Sequence, residues 1–361
     1  MNHATRRPSN RSERSDFLLY KSAYLCLSDG SCFEGQAPAG QDGIYGGEVV
    51  FNTGMTGYVE SLTDPSYANQ ILVFTFPLIG NYGVQLKDME SMKIQVSGLI
   101  VNELAPFGSH ANSVSSLLSW IQSQNIPLLK NVDTRALTKH LRTKGTMIGY
   151  ISNKKKVTEK MHLPPVSITP IRTTTHNRQG KKKIILVDCG AKENILRSLI
   201  RLNLKVKRVP PDYDYTNEDY DGVVLSNGPG DPTNYQSAIK ITQKSLKIGK
   251  PIFGICLGNQ VLALAAGATT YRLLYGHRGH NQPCIESMTE RCVITSQNHG
   301  YAIDEKSLPK GWSVWFRNLN DQSVEGIRHK TKPYYSVQFH PEAAPGPTDT
   351  AGLFERFALA L

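Results

Sequence analysis

The stretch that decides the fold is residues 251–260, PIFGICLGNQ, which places one cysteine between two glycines. An apolar run precedes the cysteine, and a second run, VLALAAGA, follows the stretch. This order predicts a buried strand that turns sharply into a helix, with Cys256 at the turn. A structural cysteine normally lies inside an apolar run. Two interpretations therefore stay open at this point: a nucleophile, or a small apolar residue in a tight turn.

The residues around this turn alternate between strand and helix patterns. KIILVDCG predicts a buried strand, ENILRSLIRLN a helix, LKVKRVP a strand, and DGVVLSNGPGDP a strand that runs into a glycine loop. Such alternation predicts βαβ units around a mostly parallel sheet flanked by helices. Functional residues in these sheets gather at the C-terminal ends of the strands. The expected fold class is α/β.

The rest of the chain divides into segments of different composition. Residues 1–16 predict a disordered basic tail, and residues 17–152 predict a compact, strand-rich α/β domain. Within it, SAYLCLSDGSCFEGQAP predicts a hairpin that turns at the dipeptide DG, and DTRALTKHLRTKG predicts a short helix. Residues 153–182, rich in Pro, Thr and Lys, predict a basic linker. Residues 183–361 then form the α/β domain that contains the cysteine.

Charge and hydropathy argue against two classes of partner. The net charge is +11, but residues 151–183 hold nine Lys or Arg against one Glu, and residues 1–16 hold four Arg against two acids. The remaining body is nearly neutral, and no nucleic-acid-binding motif accompanies the basic runs, so we expect no nucleic-acid partner. No apolar run reaches the length of about 18 residues that a membrane helix needs, so we expect no membrane association.

The cysteines bear on the cellular compartment and on metal binding. They show neither a CxxC pair nor a zinc-site spacing, and the N-terminal residues lack the apolar core of a secretory signal. Scattered cysteines in a chain of this length are typical of free thiols in a reducing cytoplasm. We therefore expect a cytoplasmic protein with free thiols and no metal site. The six cysteines are Cys26, Cys32, Cys189, Cys256, Cys284 and Cys292.

The turn at Cys256 has the residues that a nucleophile needs. G-x-C-x-G has the spacing of the G-x-S-x-G nucleophile elbow, in which small flanking residues permit a strained strand-to-helix turn. Such a turn would expose the thiol at a helix N-terminus, where the helix dipole favours the reactive thiolate. The backbone N–H of Leu257 would point into the same site and stabilise an oxyanion.

A base and an orienting carboxylate are predicted near the end of the chain. YYSVQFHPE is an apolar strand that ends with His340 and Glu342. Residues two apart in an extended chain point to the same side, so Glu342 would hold the His340 ring toward the thiol.

Two more glycine-containing segments, SNGPGDP and SQNHGY, follow predicted strands. The first is either a plain turn or a loop that presents N–H groups to a substrate, and His299 in the second is expected to be a hydrogen-bonded loop residue.

GICLGNQ, SNGPGDP and QFHPE together resemble the class I (triad-type) glutamine amidotransferase domain. EVVFNTGMTGYVESLTDPSY, ILVFTFPLIGNYG and GHRGHNQP extend the resemblance to the small, glutamine-hydrolysing subunit of carbamoyl-phosphate synthase, from about residue 20 to residue 360. GHRGHNQP and ITSQNHGY are more similar to the glutaminase region of multifunctional eukaryotic enzymes than to the usual bacterial form. The chain departs from the family at position 259, where Asn259 stands in place of the usual His.

The resemblance implies a role for each site residue. Cys256 would attack the side-chain amide carbon of glutamine, His340 would move the proton, and Glu342 would orient His340. Gly228 and Leu257 would supply the oxyanion N–H groups. The residues implied to hold L-glutamine are Ser66, Gly228, Gly230, Leu257, Gln260, Asn298, Gly300 and Tyr301.

The resemblance also implies a partner. The chain contains no P-loop motif, and the family implies no cofactor in this chain. A separate large synthetase subunit would receive the ammonia through a tunnel and join it to bicarbonate with ATP and Mg. The two subunits would form a heterodimer or a higher assembly, and the product would feed arginine or pyrimidine synthesis.

Two alternatives remain: a glutaminase that serves another synthase, and a non-catalytic regulatory subunit of the same fold. TDPSY and IGNYG argue against the first, since such partners need no domain of this kind. The presence of Cys256, His340 and Glu342 argues against the second.

Overall fold

The computed structural model of the protein describes residues 20–155 and 172–361; the expected tail at 1–16 and much of the expected linker lie outside them. Residues 20–155 form a seven-stranded sheet in the order β2-β1-β9-β3-β4-β6-β8, beside a two-stranded ribbon of β5 and β7. The strands are β1 (Tyr20–Leu27), β2 (Cys32–Pro38), β3 (Tyr45–Asn52), β4 (Gln70–Phe74), β5 (Leu78–Ile79), β6 (Gly98–Ile100), β7 (Glu103–Leu104), β8 (Leu128–Leu129) and β9 (Met147–Ser152). The helices are α1 (Tyr58–Thr63), α2 (Leu117–Ser123) and α3 (Thr134–Lys144).

Two elements predicted in this region are confirmed. β1 and β2 pair as an antiparallel hairpin across the DG turn, where Gly30 has the positive φ of 89° that such a turn favours. α3 begins where the Asp133 side chain accepts a hydrogen bond from the backbone N–H of Ala136, and it ends at Gly145, whose φ is 93°. Its apolar face buries Leu137 and Leu141 against the sheet, as their spacing of four predicts.

Residues 172–361 form a ten-stranded sheet in the order β10-β12-β11-β13-β14-β19-β18-β16-β15-β17. Its strands are β10 (Thr174–His176), β11 (Lys182–Val187), β12 (Leu204–Val209), β13 (Gly222–Leu225), β14 (Ile252–Ile255), β15 (Thr270–Glu286), β16 (Cys292–Ile303), β17 (Trp312–Asn318), β18 (Val324–His329) and β19 (Tyr334–Val337). The helices are α4 (Glu193–Arg201), α5 (Gln236–Ile248), α6 (Leu257–Ala266) and α7 (Gly352–Leu359).

The block β12-β11-β13-β14-β19 is parallel, which confirms the α/β fold class. Alternate residues of its strands face two separate cores. Val223 and Ile252 pack with residues of α5 and α6, whereas Val224 and Phe253 pack with residues of α4 and α7. Helices therefore cover both faces of the block. Beyond β19, the sheet continues through β18, β16, β15 and β17 in antiparallel pairs.

Two expectations from the sequence are wrong, and one segment differs from its description as a linker. Cys26 and Cys32 form a disulfide rather than free thiols, because the hairpin register places them directly opposite each other. His299 lies inside β16 rather than in a loop, since SQNHGY continues the strand and pairs along β15. Within the segment expected to be linker, β10 adds an antiparallel edge strand to β12.

The two regions meet through buried polar contacts. Asp64 Oδ2 accepts a hydrogen bond from Asn298 Nδ2 at 3.1 Å, and Ser66 Oγ accepts one from Asn227 Nδ2 at 2.8 Å. Glu90, fully buried, accepts a hydrogen bond from the backbone N–H of Asn194 at 2.9 Å. The loop after β13, strand β16 and helix α4 therefore all contact the first region. Within residues 20–155 and 172–361, no helix combines the length and the apolarity needed to cross a membrane.

Candidate active site

Cys256 lies at a strained turn between β14, which ends at Ile255, and α6, which begins at Leu257. Its φ of 55° and ψ of −103° lie in a region that side chains rarely adopt. Glycine is required on both sides of Cys256, because backbone atoms of other residues come too close for a side chain. A Cβ on Gly254 would lie 2.5 Å from Gly258 O, and a Cβ on Gly258 would lie 2.1 Å from Leu225 O. The predicted strand-to-helix elbow is therefore present.

His340 and Glu342 form the expected pair: His340 Nδ1 lies 2.6 Å from Glu342 Oε1, and both side chains are buried. The pair does not arise from an extended strand, so the explanation from the sequence was wrong. β19 ends at Val337, and residues 340–343 form a turn closed by the bond from Ala343 N–H to His340 O. The turn, rather than an extended strand, aims the carboxylate at the ring. His340 Nε2 has no hydrogen-bond partner among the described residues, so it is available to a thiol or a substrate.

Charges around this pair control its protonation. Lys192, 2% exposed, holds its ammonium 3.0 Å from Glu342 Oε1. Burial raises the pKa of Glu342, but Lys192 and the His340 ring outweigh this effect and hold the pKa at about 2. Burial lowers the pKa of His340, but Glu342 and Cys256 outweigh it and raise the pKa to about 10. The pair at neutral pH is therefore a carboxylate beside an imidazolium.

A cavity of about 450 Å³ opens beside Cys256. It is lined by every residue that the family resemblance implied to hold glutamine, from both regions of the chain. The volume suits a ligand of amino-acid size. These residues are Ser66, Gly228, Gly230, Leu257, Gln260, Asn298, Gly300 and Tyr301.

The two residues expected to form an oxyanion hole are neighbours. Leu257 is the first residue of α6, so its backbone N–H has no acceptor inside the helix. Gly228 follows β13, and a Cβ placed on it would lie 2.7 Å from Leu257 Cδ2. The thiol itself points toward β16, with Cys256 Sγ 3.6 Å from Asn298 O. Cys256, Leu257, Gly228 and the cavity therefore share one end of the parallel block.

The first region supplies a wall of the cavity through a short 3-10 turn, Pro65–Tyr67. Asp64 accepts a hydrogen bond from the backbone N–H of Ser66 at 2.8 Å and so fixes the turn. The Ser66 hydroxyl then lies against Asn227, next to Gly228. Without this region the cavity would lack one side.

Arg278 is a charged residue of the cavity that the sequence did not identify. It is 5% exposed, and burial lowers its pKa. Nη1 donates to Tyr275 O at 2.7 Å, whereas Nε has no partner among the described residues. Nη2 lies beside Gly300, where a Cβ would be 3.4 Å away. GHRGHNQP contributed only to the family resemblance; an Arg within a glycine-rich stretch is the signal that could have found this residue.

The Asn259 side chain contacts β19 and the residue after it. It is fully buried, donates to Gln338 Oε1 at 2.9 Å and accepts from Ser336 Oγ at 2.8 Å. These contacts tie α6 to β19 and the residue after it. The departure from the family at this position is therefore a packing change behind the elbow.

Family comparisons agree with this geometry. Residues 25–151 match the model of the carbamoyl-phosphate synthase small chain, CPSase domain, and residues 185–360 match that of glutamine amidotransferase class-I. The second match includes β14, the elbow, and the turn with His340.

Individual relatives are similar over nearly the whole chain. The multifunctional protein CAD of Squalus acanthias is 47% identical over 93% of the chain. The carbamoyl phosphate synthase arginine-specific small chains of Neurospora crassa and Saccharomyces cerevisiae are each 44% identical over 93% of it. The chain spans 79% and 87% of those small chains, but only between 16% and 21% of the multifunctional relatives. The chain belongs to the carbamoyl-phosphate synthase small-chain family, with a CPSase domain followed by a class-I glutamine amidotransferase domain.

Proposed function

We propose that the chain hydrolyses L-glutamine with Cys256 as nucleophile, His340 as proton carrier and Glu342 as the group that orients His340. The observation that carries this proposal is the strained elbow, which holds Cys256 at a helix N-terminus beside a cavity of amino-acid size. The buried His340–Glu342 pair supplies the second requirement of a cysteine nucleophile, a positioned base with its own orienting partner.

The reaction follows from these positions. His340 begins as an imidazolium with the proton of the Cys256 thiol on Nε2, and Cys256 Sγ attacks the side-chain amide carbon of glutamine as a thiolate. The negative oxygen that forms is stabilised by the N–H groups of Leu257 and Gly228. The carbon–nitrogen bond breaks as His340 protonates the leaving nitrogen, which departs as ammonia. Water then attacks the γ-glutamyl thioester and gives a proton to His340 Nε2. The carbon–sulfur bond breaks, and glutamate leaves with Cys256 Sγ and the His340 imidazolium restored.

Arg278 would hold the α-carboxylate of glutamine. Arg278 lines the cavity with Glu48, which offsets part of the guanidinium charge, and its Nε has no hydrogen-bond partner among the described residues, so a second anionic partner would complete its contacts. An amino-acid α-carboxylate provides one, and guanidinium groups bind carboxylates in a planar, two-point geometry. This contact would fix the end of glutamine away from Cys256 and so set which carbonyl reaches the thiol.

We further propose that the ammonia passes to a carbamoyl-phosphate-forming synthetase that uses bicarbonate, ATP and Mg. The small-chain family supports this partner, which fits a separate large subunit or a fused synthetase, because the relatives include both kinds. Their names point to arginine-specific synthesis in one group. A heterodimer and a cytoplasmic location stay predictions, and the Cys26–Cys32 disulfide removes part of the argument for the latter.

Release of glutamate from glutamine by the purified chain tests the proposal. We expect slow turnover alone, faster turnover with a synthetase large subunit, and none in Cys256→Ser. Equal turnover in Cys256→Ser would refute the nucleophile. Turnover that does not change when a synthetase binds would refute the proposed coupling, while glutaminase activity would stand.

A further inference from the structure

Three buried side chains converge behind the cavity: His277 on β15, His299 on β16 and Glu325 on β18. One nitrogen or oxygen of each lies within 4.8 Å of the others. The strand register explains the convergence, because His277 and His299 are directly paired residues of two antiparallel strands. Side chains of paired residues point to the same face of a sheet.

Each imidazole is held at its outer nitrogen. His277 Nε2 lies 2.9 Å from Asp321 Oδ2, and His299 Nδ1 lies 2.9 Å from the Tyr301 carbonyl. Both outer partners are acceptors, so the outer nitrogens carry the protons. In neutral rings the inner nitrogens, His277 Nδ1 and His299 Nε2, then present lone pairs. Histidines that bind a metal ion are typically anchored in this way by a carboxylate or a backbone carbonyl.

The inner atoms face one another without enough donors. Glu325 Oε1 lies 3.3 Å from His277 Nδ1 and 3.6 Å from His299 Nε2, and Glu325 Oε2 has no partner among the described residues. Asn318 Nδ2 lies 3.3 Å from Glu325 Oε1 and 3.5 Å from His277 Nδ1, so two acceptors share one amide group at long distances. The fully buried Glu325 carboxylate needs a positive partner, which is either a proton on His277, whose pKa is lowered by burial but raised to about 9 by Asp321 and Glu325, or a cation bound between the two rings.

The distances favour a metal ion over a proton. A proton shared by an imidazolium and a carboxylate draws nitrogen and oxygen to about 2.7–2.9 Å. Ligands bound tetrahedrally at about 2.0–2.1 Å from zinc lie about 3.3–3.4 Å from one another. The contacts of 3.3 and 3.6 Å at Glu325 are longer than the first case and closer to the second, whereas the 3.2 Å between His299 Nε2 and Gln297 Oε1 also lies within the range of an ordinary hydrogen bond.

We propose that His277 Nδ1, His299 Nε2 and the Glu325 carboxylate bind one divalent transition-metal ion of the zinc class. Gln297 Oε1 is placed as the fourth ligand, since its amide nitrogen is turned away to donate to Thr295 Oγ1 at 3.0 Å. Imidazole and carboxylate ligands without thiolate suit Zn²⁺ or Co²⁺. The expected absence of a metal site rested on cysteine spacing, which does not report on a site of this type.

The ion would stabilise the wall of the cavity. His299 lines the cavity together with its neighbours Asn298 and Gly300. A metal ion at His299 would therefore join β15, β16 and β18 directly behind the residues that face the ligand. The metal ion takes no part in the chemistry at Cys256. The proposed metal site does not depend on the proposed glutaminase activity.

Metal titration of the full chain tests this site. The Cys256→Ser variant serves as the parent protein, because the active-site thiol and His340 can also bind Zn²⁺. After treatment with a chelator, the parent is titrated with Co²⁺ and followed by its visible absorption, and with Zn²⁺ followed by calorimetry and thermal unfolding. We expect one ion per chain, a tetrahedral cobalt spectrum, and a higher Tm with Zn²⁺.

Variants distinguish this site from adventitious binding. Glu325→Gln and His277→Asn should weaken binding by at least about 100-fold, and Asp321→Asn by about 10–100-fold, the range seen for outer partners. His110→Asn, which changes an exposed histidine far along the chain, should bind as the parent does. Far-UV circular dichroism checks that each variant folds. Failure of the parent to bind Co²⁺ and Zn²⁺, or binding that survives both Glu325→Gln and His277→Asn, would overturn the proposal.

Discussion

Replacing Gly258 by alanine tests whether the tight packing of the elbow sets the position of Cys256. The added Cβ would lie 2.1 Å from Leu225 O and 2.6 Å from Leu225 C, where ordinary contact begins at 3.4 Å. Both atoms are backbone of the central strand β13, so the first turn of α6 must move by about 1.3 Å. Misplacement of a reacting group by about 1 Å can cost about 100-fold in rate. We therefore expect kcat/KM for glutamine to fall about 100-fold, or about 2.7 kcal/mol.

Gly267→Ala, at the other end of α6, is the matched control. Its φ of 103° makes alanine strained, but the new Cβ meets no atom within 4 Å. We expect a loss of about 1–2 kcal/mol in the free energy of unfolding with kcat/KM within threefold of the parent. Glutamate release gives kcat/KM and urea unfolding gives stability. If Gly258→Ala folds and keeps kcat/KM within threefold, the elbow does not position the nucleophile as argued.

Three further predictions concern side chains around the cavity. Arg278→Met should raise KM for glutamine about 10–100-fold, because it removes a charge-assisted contact worth about 1.5–3 kcal/mol. KM for 4-aminobutanamide, which lacks the α-carboxylate, should stay unchanged. Equal increases in KM for both substrates would refute the contact. Glu342→Gln removes the negative charge that helps raise the pKa of His340 to about 10, so the alkaline limb of the kcat/KM–pH profile should move to lower pH, and an unmoved limb would contradict this. Asn259→His adds volume beside Gln338 and should cost about 1–3 kcal/mol in unfolding free energy with kcat/KM nearly unchanged; a large kinetic effect would give position 259 a catalytic role.

Local patterns predicted the parts of the fold that local forces specify. The apolar run before Cys256 and the small residues around it permit one geometry, because a Cβ at Gly254 or Gly258 would overlap backbone. The caps of α3 and the DG turn of the first hairpin were likewise readable from a few residues. Each of these features depends on neighbours close in sequence.

Long-range pairing was the part that the sequence did not reveal. β15 carries Gly276 and Gly279 and two irregularities in its register, so its residues show no regular alternation. Its pairing with β16 places His299 in a strand, although the dipeptide HG suggests a loop. The disulfide was missed for a different reason. The expectation of free thiols rested on the scattered spacing of the cysteines, whereas the hairpin register places Cys26 directly opposite Cys32.

The positions of Cys256, His340 and Glu342 at one end of the parallel block were predictable, whereas the residues around them were not. Cys256, His340 and Glu342 each follow a strand of the parallel block, and the ends of parallel strands meet at one edge of a sheet. Ser66 was assigned through the family resemblance alone, since no periodicity indicates that a 3-10 turn of the first region borders the cavity. Arg278 was missed because burial of a charge depends on the assembled cavity.

Trapping the acyl-enzyme tests the central claim, that Cys256 forms a covalent bond to glutamine carbon, most directly. The chain is mixed with glutamine, quenched in acid within one turnover, digested, and analysed by mass spectrometry. We predict that the peptide with GICLGNQ gains the mass of a glutamyl group on Cys256, and that hydroxylamine removes it. The adduct should be absent in Cys256→Ser. A glutamyl group on another residue, or glutamate production at the parent rate in Cys256→Ser, would contradict the account.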